Sequence, residues 1–158
     1  MATVEADDPA AAVPFLSRLP YAYTSRVGIY GSSYGGYMTC MAMLRAPEVF
    51  KVGVSGAPVT DWDGYDTGYT ERYMGLLNDN LTGYLRSAPV EQAPKMRGNL
   101  LLIHSMMDDN VHPQNTMQLL TALTNAGRDA DLRIYPPGHH GAAYNAQSAR
   151  LLRQVTDA

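Results

Sequence analysis

A serine flanked by glycines at fixed spacing is the feature of this sequence best suited to covalent chemistry. Gly31-Ser32-Ser33-Tyr34-Gly35 has the form G-x-S-x-G, with an apolar run before it and an apolar helical stretch after it. At such a strand-to-helix turn the serine is held in a strained position, and the residues two before and two after it are pressed together. Glycine meets that demand, and Gly36 would let the helix lie close to the sheet. The pattern predicts that Ser33 is a nucleophile.

A serine hydroxyl needs a base to take its proton, and that base needs a carboxylate to orient it. In folds with this turn, the order along the chain is serine, acid and histidine. Asp108 and Asp109 follow the apolar run that ends at His104. His139 and His140 follow the next apolar run. The sequence therefore predicts a serine hydrolase that draws its acid and its base from these two pairs.

Two other histidines are candidates for the base. His104 ends a strand, where a histidine bonded within the core is the more common case. His112 begins a helix, where it would cap the helix or line the site. The adjacent His139 and His140 could suggest a metal, but no carboxylate at ligand spacing joins them. We therefore expect no metal and no cofactor.

These residues must be positioned by alternating strands and helices. Apolar runs of strand length predict strands over Arg26–Tyr30, Lys51–Ala57, Asn99–His104 and Leu132–Tyr135. Helical spacing predicts helices over Ala6–Leu19, Tyr34–Leu44, Pro113–Ala126 and Ala143–Val155. This alternation indicates an α/β fold, in which a mostly parallel sheet carries helices on both faces. The ligand site of such a fold lies at the carboxyl ends of the strands.

Composition argues against several classes of protein. The 158 residues carry a net charge of −3, without the basic footprint of a nucleic-acid-binding protein. The single cysteine, Cys40, lies in an apolar stretch and is expected to be buried. No apolar run approaches the roughly 18 residues that a membrane span needs. Residues 1–12 are acidic and lack the features of a secretory signal.

Four segments carry longer sequence motifs. Residues 31–37 resemble G-W-S-Y-G-G-Y, and residues 57–62 resemble A-P-V-x-x-W. Residues 65–75 resemble Y-D-S-x-Y-T-E-R-Y-M-G, a stretch that generic esterases and lipases do not carry. Residues 104–112 resemble H-G-x-A-D-D-N-V-H. Together they resemble the prolyl oligopeptidase family and its dipeptidyl peptidase IV branch, which has an α/β-hydrolase fold. The resemblance covers about residues 4–155.

The resemblance implies a role for particular residues. Ser33, Asp108 and His140 match the catalytic triad, because the family acid is the first aspartate of its pair and the family histidine directly precedes a glycine. The backbone N–H of Tyr34 matches an oxyanion donor. The pocket for the proline before the scissile bond is matched by Tyr34, Val59, Trp62, Tyr65, Tyr69, Asn110 and Val111. An aromatic cage suits the apolar proline ring, although without the resemblance these aromatic residues would be assigned to the core.

The chain also departs from the family pattern. The departures are at Ser32, Ser105, Met107, Gly138 and His139. Met107 replaces a small residue beside the candidate acid and could shift it. None of the departures removes a member of the triad, but together they could lower activity.

The resemblance further implies parts that these 158 residues do not include. Family members have a β-propeller and additional strands before the serine, which supply a second oxyanion donor and acidic residues for the substrate N-terminus. We therefore expect residues 1–158 to be a single, incomplete catalytic domain, with little activity in isolation. The resemblance implies a secreted, periplasmic or surface-anchored parent that acts on peptides, and it allows a homodimer.

The activity implied by the resemblance is that of a serine peptidase releasing N-terminal Xaa-Pro or Xaa-Ala dipeptides in its full-length form. Two alternatives stay open. An esterase or acylaminoacyl peptidase would use the same triad, although its pocket would not need a cage for proline. An inactive fragment that only packs against partners would keep the fold without turnover.

Overall fold

A sheet of four parallel strands forms the centre of the protein. The computed structural model describes residues 4–141. The strands are β1 (Val27–Ser32), β2 (Phe50–Gly56), β3 (Asn99–Ser105) and β4 (Asp131–Tyr135). They lie side by side in the order β1-β2-β3-β4. All four predicted strands are confirmed, each to within two residues of its predicted ends.

Six α-helices accompany the strands among residues 4–141. They are α1 (Val4–Leu16), α2 (Tyr34–Arg45), α3 (Thr67–Met74), α4 (Leu81–Ser87), α5 (Pro89–Gln92) and α6 (Gln114–Asn125). Helices α1, α2 and α6 correspond to predicted helices, whereas the predicted helix Ala143–Val155 lies outside the described residues. Helices α3 to α5 occupy the segment between β2 and β3, for which the sequence analysis predicts no element. None of these six helices is long and apolar enough to cross a membrane.

Helix α1 ends at Leu16, three residues before the predicted end at Leu19. The Ser17 hydroxyl donates a hydrogen bond to the Pro14 carbonyl (2.7 Å), and the chain then turns ahead of Pro20. The spacing of apolar residues does not predict this helix end, because the end is fixed by a local hydrogen bond from a side chain to the backbone.

An ion pair and small side chains fasten α1 to α2. The Arg45 guanidinium donates to both carboxylate oxygens of Asp7, at 3.0 and 3.1 Å. Ala6 is fully buried against a cluster that includes Trp62. Pro9 and Pro14 both lie inside the helix, and an interior proline costs about 3 kcal/mol. Tertiary contacts rather than intrinsic propensity therefore hold α1 in place.

The main core lies where α2 and α6 pack on the sheet. Leu102 of β3 and Leu119 of α6 are fully buried there. Cys40 is buried as predicted, and burial raises the pKa of its thiol to about 12. A Cβ at Gly36 would overlap the Gly56 carbonyl of β2. The predicted close approach of α2 to the sheet is therefore confirmed.

Because the strands are parallel, their carboxyl ends lie along one edge of the sheet. Residues 106–111, the aspartate loop, follow β3, and residues 136–141, the histidine loop, follow β4. Ser105 pairs with Tyr135, so these two loops leave adjacent strands at the same level. The turn after β1 reaches the same edge two strands away. The fold thus brings the predicted serine, acid and base to one place.

Candidate active site

The turn between β1 and α2 holds Ser33 in a backbone conformation that side chains rarely adopt. Its φ is 55° and its ψ is −120°, and such a conformation persists only where surrounding contacts enforce it. Here the Ser33 N–H donates to the Gly56 carbonyl (2.8 Å), and the Tyr37 N–H donates to the Ser33 carbonyl (2.9 Å). The geometry is the strained strand-to-helix turn that the motif predicts.

The two flanking glycines of the turn are not equivalent. A Cβ at Gly31 would overlap the backbone of Gly35, so the predicted close packing of these positions is confirmed. A Cβ at Gly35, however, would meet no atom within 4 Å. The idea that both positions must lack a side chain is therefore wrong for Gly35. The difference arises because a side chain at Gly31 would point at the helix backbone, whereas one at Gly35 would point into open space.

Three side chains at the sheet edge form a continuous hydrogen-bonded chain. His140 Nε2 lies 2.9 Å from Ser33 Oγ, and His140 Nδ1 lies 2.8 Å from Asp108 Oδ2. A carboxylate can only accept, so Nδ1 carries the proton and Nε2 turns its lone pair towards the serine hydroxyl. The arrangement can therefore accept the hydroxyl proton of Ser33 at His140.

The competing acid and base candidates lie away from the serine. Asp109 and His139 are exposed and face each other, with 3.6 Å between Asp109 Oδ1 and His139 Nδ1. His112 is exposed just before α6. Within residues 4–141, no three His, Cys, Asp or Glu side chains converge as a metal site would require. The structure thus brings Asp108 and His140, rather than their neighbours, to Ser33.

Asp108 is buried, and both of its carboxylate oxygens accept hydrogen bonds. Oδ1 accepts from the backbone N–H groups of Asn110 (3.1 Å) and Val111 (3.0 Å), while Oδ2 faces His140. Such bonds to a carboxylate are stronger than neutral ones. Met107, the unusual residue before the aspartate, is 55% exposed, and the Asp108 carboxylate makes all three of these bonds beside it. Its size therefore does not displace the carboxylate.

His104, at the end of β3, is fully buried beneath the aspartate loop. Its Nδ1 lies 2.7 Å from Thr116 Oγ1, and its Nε2 lies 2.8 Å from the Val111 carbonyl oxygen. Nε2 is also 3.4 Å from Asp108 Oδ2. Burial lowers the pKa of His104 from its ordinary value and outweighs the opposing effects of the Val111 carbonyl and the Asp108 charge. The prediction of a core-bonded histidine is confirmed, but its contact with the candidate acid was not expected.

Aromatic rings form a cage next to the serine. Trp62 stacks on Tyr69 with 6.0 Å between ring centroids, and it meets Tyr65 edge-on at 5.9 Å. Tyr34 tilts against Trp62 at 6.2 Å. The Tyr65 hydroxyl donates to Asn110 Oδ1 at 2.7 Å, which ties the cage to the aspartate loop. Rings that meet edge-on or stacked at such distances attract one another beyond their buried area.

The residues of the aromatic cage differ in how far they are exposed to solvent. Val59, Trp62 and Val111 are at most 2% exposed, whereas Tyr69 is 37% exposed. The structure therefore brings all seven predicted pocket residues together, but the tyrosines offer the accessible surface and the buried members back them. Tyr37, which the sequence analysis did not single out, packs edge-on against Trp62 at 4.9 Å and supports the cage from below.

Tyr34 has two polar groups at this site, its backbone N–H and its side-chain hydroxyl. Its backbone N–H is in the first turn of α2, where N–H groups have no acceptor within the helix. Its hydroxyl donates to Glu5 Oε1 of α1 at 3.4 Å. Burial, with a smaller contribution from Glu5, raises the pKa of Tyr34 to about 12, so the phenol is neutral at physiological pH. The α1 helix therefore contacts the cage directly.

A parallel sheet with a serine on this strained turn defines the α/β-hydrolase fold. Within that fold, the chain belongs to the prolyl oligopeptidase family, which it matches over residues 1–157. Dipeptidyl peptidase 8 of Homo sapiens is 44% identical over 144 residues, which are 89% of this chain and 16% of that protein. Dipeptidyl peptidase 4 of Sus scrofa is 41% identical over 148 residues, which are 92% of this chain and 19% of that protein. The chain thus spans less than a fifth of the length of these relatives.

Solved structures agree with this assignment. Dipeptidyl peptidase 4 of Porphyromonas gingivalis superposes with a TM-score of 0.92 and 39% identity, covering 99% of this chain and 22% of that one. A putative dipeptidyl aminopeptidase IV of Bacteroides ovatus gives a TM-score of 0.90 and 40% identity over 96% of this chain. The predicted fold class and family are therefore confirmed.

Proposed function

We propose that the protein is a serine peptidase that removes Xaa-Pro or Xaa-Ala dipeptides from the N-termini of peptides. Ser33 is the nucleophile, His140 the general base and Asp108 the orienting acid. The observation that carries the proposal is the unbroken chain of hydrogen bonds from Ser33 Oγ through both His140 nitrogens to Asp108. The dipeptidyl peptidase names of its relatives support the substrate class.

Acylation begins when Ser33 Oγ attacks the carbonyl carbon of the second substrate residue. The hydroxyl proton moves to His140 Nε2, which is 2.9 Å away. Asp108 stabilises the imidazolium through the Nδ1–H bond of 2.8 Å. When the tetrahedral intermediate collapses, the scissile C–N bond breaks and the same proton passes to the departing amine. Water then cleaves the acyl ester by the reverse sequence and releases the dipeptide.

The oxyanion of that intermediate needs hydrogen-bond donors fixed in advance. The backbone N–H of Tyr34 is one donor, because it follows the nucleophile and lies in the first turn of α2. The partial positive charge at the N-terminus of α2 favours the same oxygen.

Specificity for proline or alanine before the scissile bond comes from the aromatic cage. Tyr34, Tyr65 and Tyr69 offer ring faces to a flat apolar side chain, and Trp62 fills the space behind them. Val59 and Val111 close the pocket at its base. Asn110, fixed by the Tyr65 hydroxyl, is an amide at the rim that can bond to a peptide carbonyl.

A fluorophosphonate probe tests the triad, since it reacts only with an activated serine. With the protein expressed from its full coding sequence, we expect wild type to be labelled and Ser33→Ala to be unlabelled. Ser25→Ala, an exposed serine ahead of β1, is the matched control and should label as wild type does. Equal labelling of Ser33→Ala and wild type would mean that the nucleophile is another residue.

The substrate class is tested separately with three chromogenic substrates. Cleavage of a Gly-Pro substrate with a free N-terminus supports the dipeptidyl peptidase. Cleavage of only a simple acyl ester would instead indicate an esterase, and cleavage of only an N-acetylated residue an acylaminoacyl peptidase. A labelled serine with either of these last results would leave the triad in place and overturn the proposed specificity.

A further inference from the structure

We propose that His104 is a positioning residue that holds the aspartate loop, and with it Asp108, in the geometry His140 requires. The inference rests on the proposed triad and extends it by one residue. His104 belongs to β3, the strand that precedes the aspartate loop, and lies below the carboxylate rather than beside the serine. It acts on the reaction only through Asp108.

The tautomer of His104 follows from its partners. Nε2 faces the Val111 carbonyl oxygen at 2.8 Å, and a carbonyl can only accept, so Nε2 carries the proton. Nδ1 then accepts from the Thr116 hydroxyl at 2.7 Å. A neutral imidazole satisfies both contacts, and the lowered pKa of this buried ring keeps it neutral. The ring therefore joins β3, the aspartate loop and α6 through two specific bonds.

These bonds control where the carboxylate of Asp108 lies. Val111 accepts from His104 through its carbonyl and donates to Asp108 Oδ1 through its N–H (3.0 Å). Displacing Val111 would therefore displace one of the donors that fix Asp108. His104 Nε2 also lies 3.4 Å from Asp108 Oδ2, the oxygen that accepts from His140.

The neutral state of His104 is essential to this role. The charged or titratable groups that face it are Asp108 and His140, and on α6 it meets only the uncharged Thr116 hydroxyl. An imidazolium at His104 would compete with the His140 imidazolium for Asp108 and repel it. A neutral ring instead holds Val111, whose N–H in turn orients the carboxylate, and it leaves the charge of Asp108 available to His140.

His104→Leu and His104→Gln test the proposal. Leucine fills the space without hydrogen bonds, whereas glutamine can place an N–H close to the position of Nε2. A misplacement of about 1 Å near reacting groups can cost about a hundredfold in rate. We expect His104→Leu to lower the maximal rate of fluorophosphonate labelling of Ser33 by roughly ten- to a hundredfold, with little change in the probe concentration for half-maximal rate. His104→Gln should recover part of the loss.

A general loss of stability would not give this pattern. Leu119→Ala on α6 is the control, because Leu119 is equally buried but packs in the main core. It should lower the melting temperature and leave the labelling rate of the folded protein near wild type. Labelling of folded His104→Leu at the wild-type maximal rate would overturn the proposal.

A measurement on the wild-type protein keeps the proposal testable even if His104→Leu does not fold. The chain has four histidines, so ¹⁵N NMR with single substitutions can assign each ring. We expect His104 to be neutral and protonated at Nε2 throughout the pH range of labelling. A ring protonated at Nδ1, or charged in that range, would contradict the positioning role. Failure of wild type to label at Ser33 would instead refute the triad itself, so the two failures are distinct.

Discussion

The two loops that meet at Ser33 are held in different ways. In the aspartate loop, the side chain of Asp108 is 1% exposed and its Oδ1 is bonded to backbone N–H groups of its own loop. In the histidine loop, the His140 side chain is 22% exposed, and its two ring nitrogens contact the aspartate and the serine. The histidine loop also accepts a bond at the Gly138 carbonyl from the Met107 N–H (3.2 Å).

The difference indicates an order of dependence: the position of His140 depends on Asp108, whereas the position of Asp108 does not depend on His140. The position of Asp108 is set by bonds that exist without His140, since they come from the backbone of the aspartate loop itself. The position of His140 is set largely by Asp108 and Ser33. Asp108 is therefore held in place by the fold itself, whereas His140 is held in place by its contacts with Asp108 and Ser33. Substitution of Asp108 should therefore reduce the free energy of unfolding more than substitution of His140 does, whereas substitution of His140 should reduce activity more.

The largest expected effect comes from removing each partner. His140→Ala should lower kcat by about 10⁶ and Asp108→Ala by about 10⁴, as in other serine triads. Stability should follow the opposite order. Asp108→Ala leaves the backbone N–H groups of Asn110 and buried Val111 without their acceptor and should cost about 2–3 kcal/mol, whereas His140→Ala should cost less than about 1 kcal/mol. Urea unfolding of both variants checks the stabilities, and single-turnover acylation checks the rates.

Asp109→Ala provides the control, because Asp109 is 77% exposed and one residue away from the acid. It should change neither quantity appreciably. If His140→Ala proved as destabilising as Asp108→Ala, the histidine would itself hold up the fold, and the proposed order of dependence would be wrong.

Backbone strain in the histidine loop should affect activity more than stability. Gly138 has a φ of 149°, which disfavours a side chain, so Gly138→Ala would shift the chain two residues before the base. We expect labelling of Ser33 to fall roughly ten- to a hundredfold, because small displacements of reacting groups are costly. The free energy of unfolding should fall by only about 1 kcal/mol, which is the cost of placing a side chain at a positive φ.

A distant glycine that also has a positive φ separates the two effects. Gly127 follows α6 with a φ of 65°, and a Cβ there would meet no atom within 4 Å. Gly127→Ala should cost about 1 kcal/mol of stability and leave labelling at the wild-type rate. A Gly138→Ala variant that labels normally would show that the histidine loop tolerates displacement.

The sequence predicts the sheet, and the meeting of Ser33, Asp108 and His140 at its carboxyl end, for a physical reason. The parallel strands are short, largely apolar runs, and each of the three candidate residues follows one of them, so order along the chain implies proximity in space. The sequence does not predict helices α3 to α5. These are short, and their stability comes from contacts such as Tyr69 on Trp62, which no local pattern encodes. Even the cap of α3, Asp66 bonded to the Tyr69 N–H (3.3 Å), is a weak signal alone.

The proposed role of His104 could not be predicted from the sequence for the same reason. Its spacing of four residues from Asp108 has no meaning in a loop, and its other partner, Thr116, belongs to the next helix. A strand-end histidine is correctly expected to be buried. Only the folded chain reveals that the loop it supports carries the candidate acid.

The free energy of unfolding should fall on acidification because of His104, the buried histidine beneath the aspartate loop. The pKa of His104 is lowered in the folded state. His104 therefore stabilises the folded protein at pH values above its pKa in the unfolded chain, which is about 6.5. This stabilisation is lost as the pH falls towards the lowered pKa of the folded state. Between pH 7 and 5.5, we expect wild type to lose at most about 1.4 kcal/mol per pH unit from this group. His104→Gln should be less stable at pH 7 but lose less on acidification. Parallel curves for the two proteins, measured by urea unfolding, would contradict this.

The smallest expected effect concerns the exposed pair that joins the tips of the two loops. His139 and Asp109 lie 3.6 Å apart with 66% and 77% of their side chains exposed, and their attraction exists only when His139 is protonated. Exposed pairs of this kind contribute about 0–1 kcal/mol and are screened by salt. In a double-mutant cycle of His139→Ala and Asp109→Asn, we expect a coupling below about 0.5 kcal/mol that disappears in 1 M salt. A larger, salt-resistant coupling would give the histidine loop a side-chain anchor besides the bond from the Met107 N–H to the Gly138 carbonyl, and both would be independent of the Asp108 side chain.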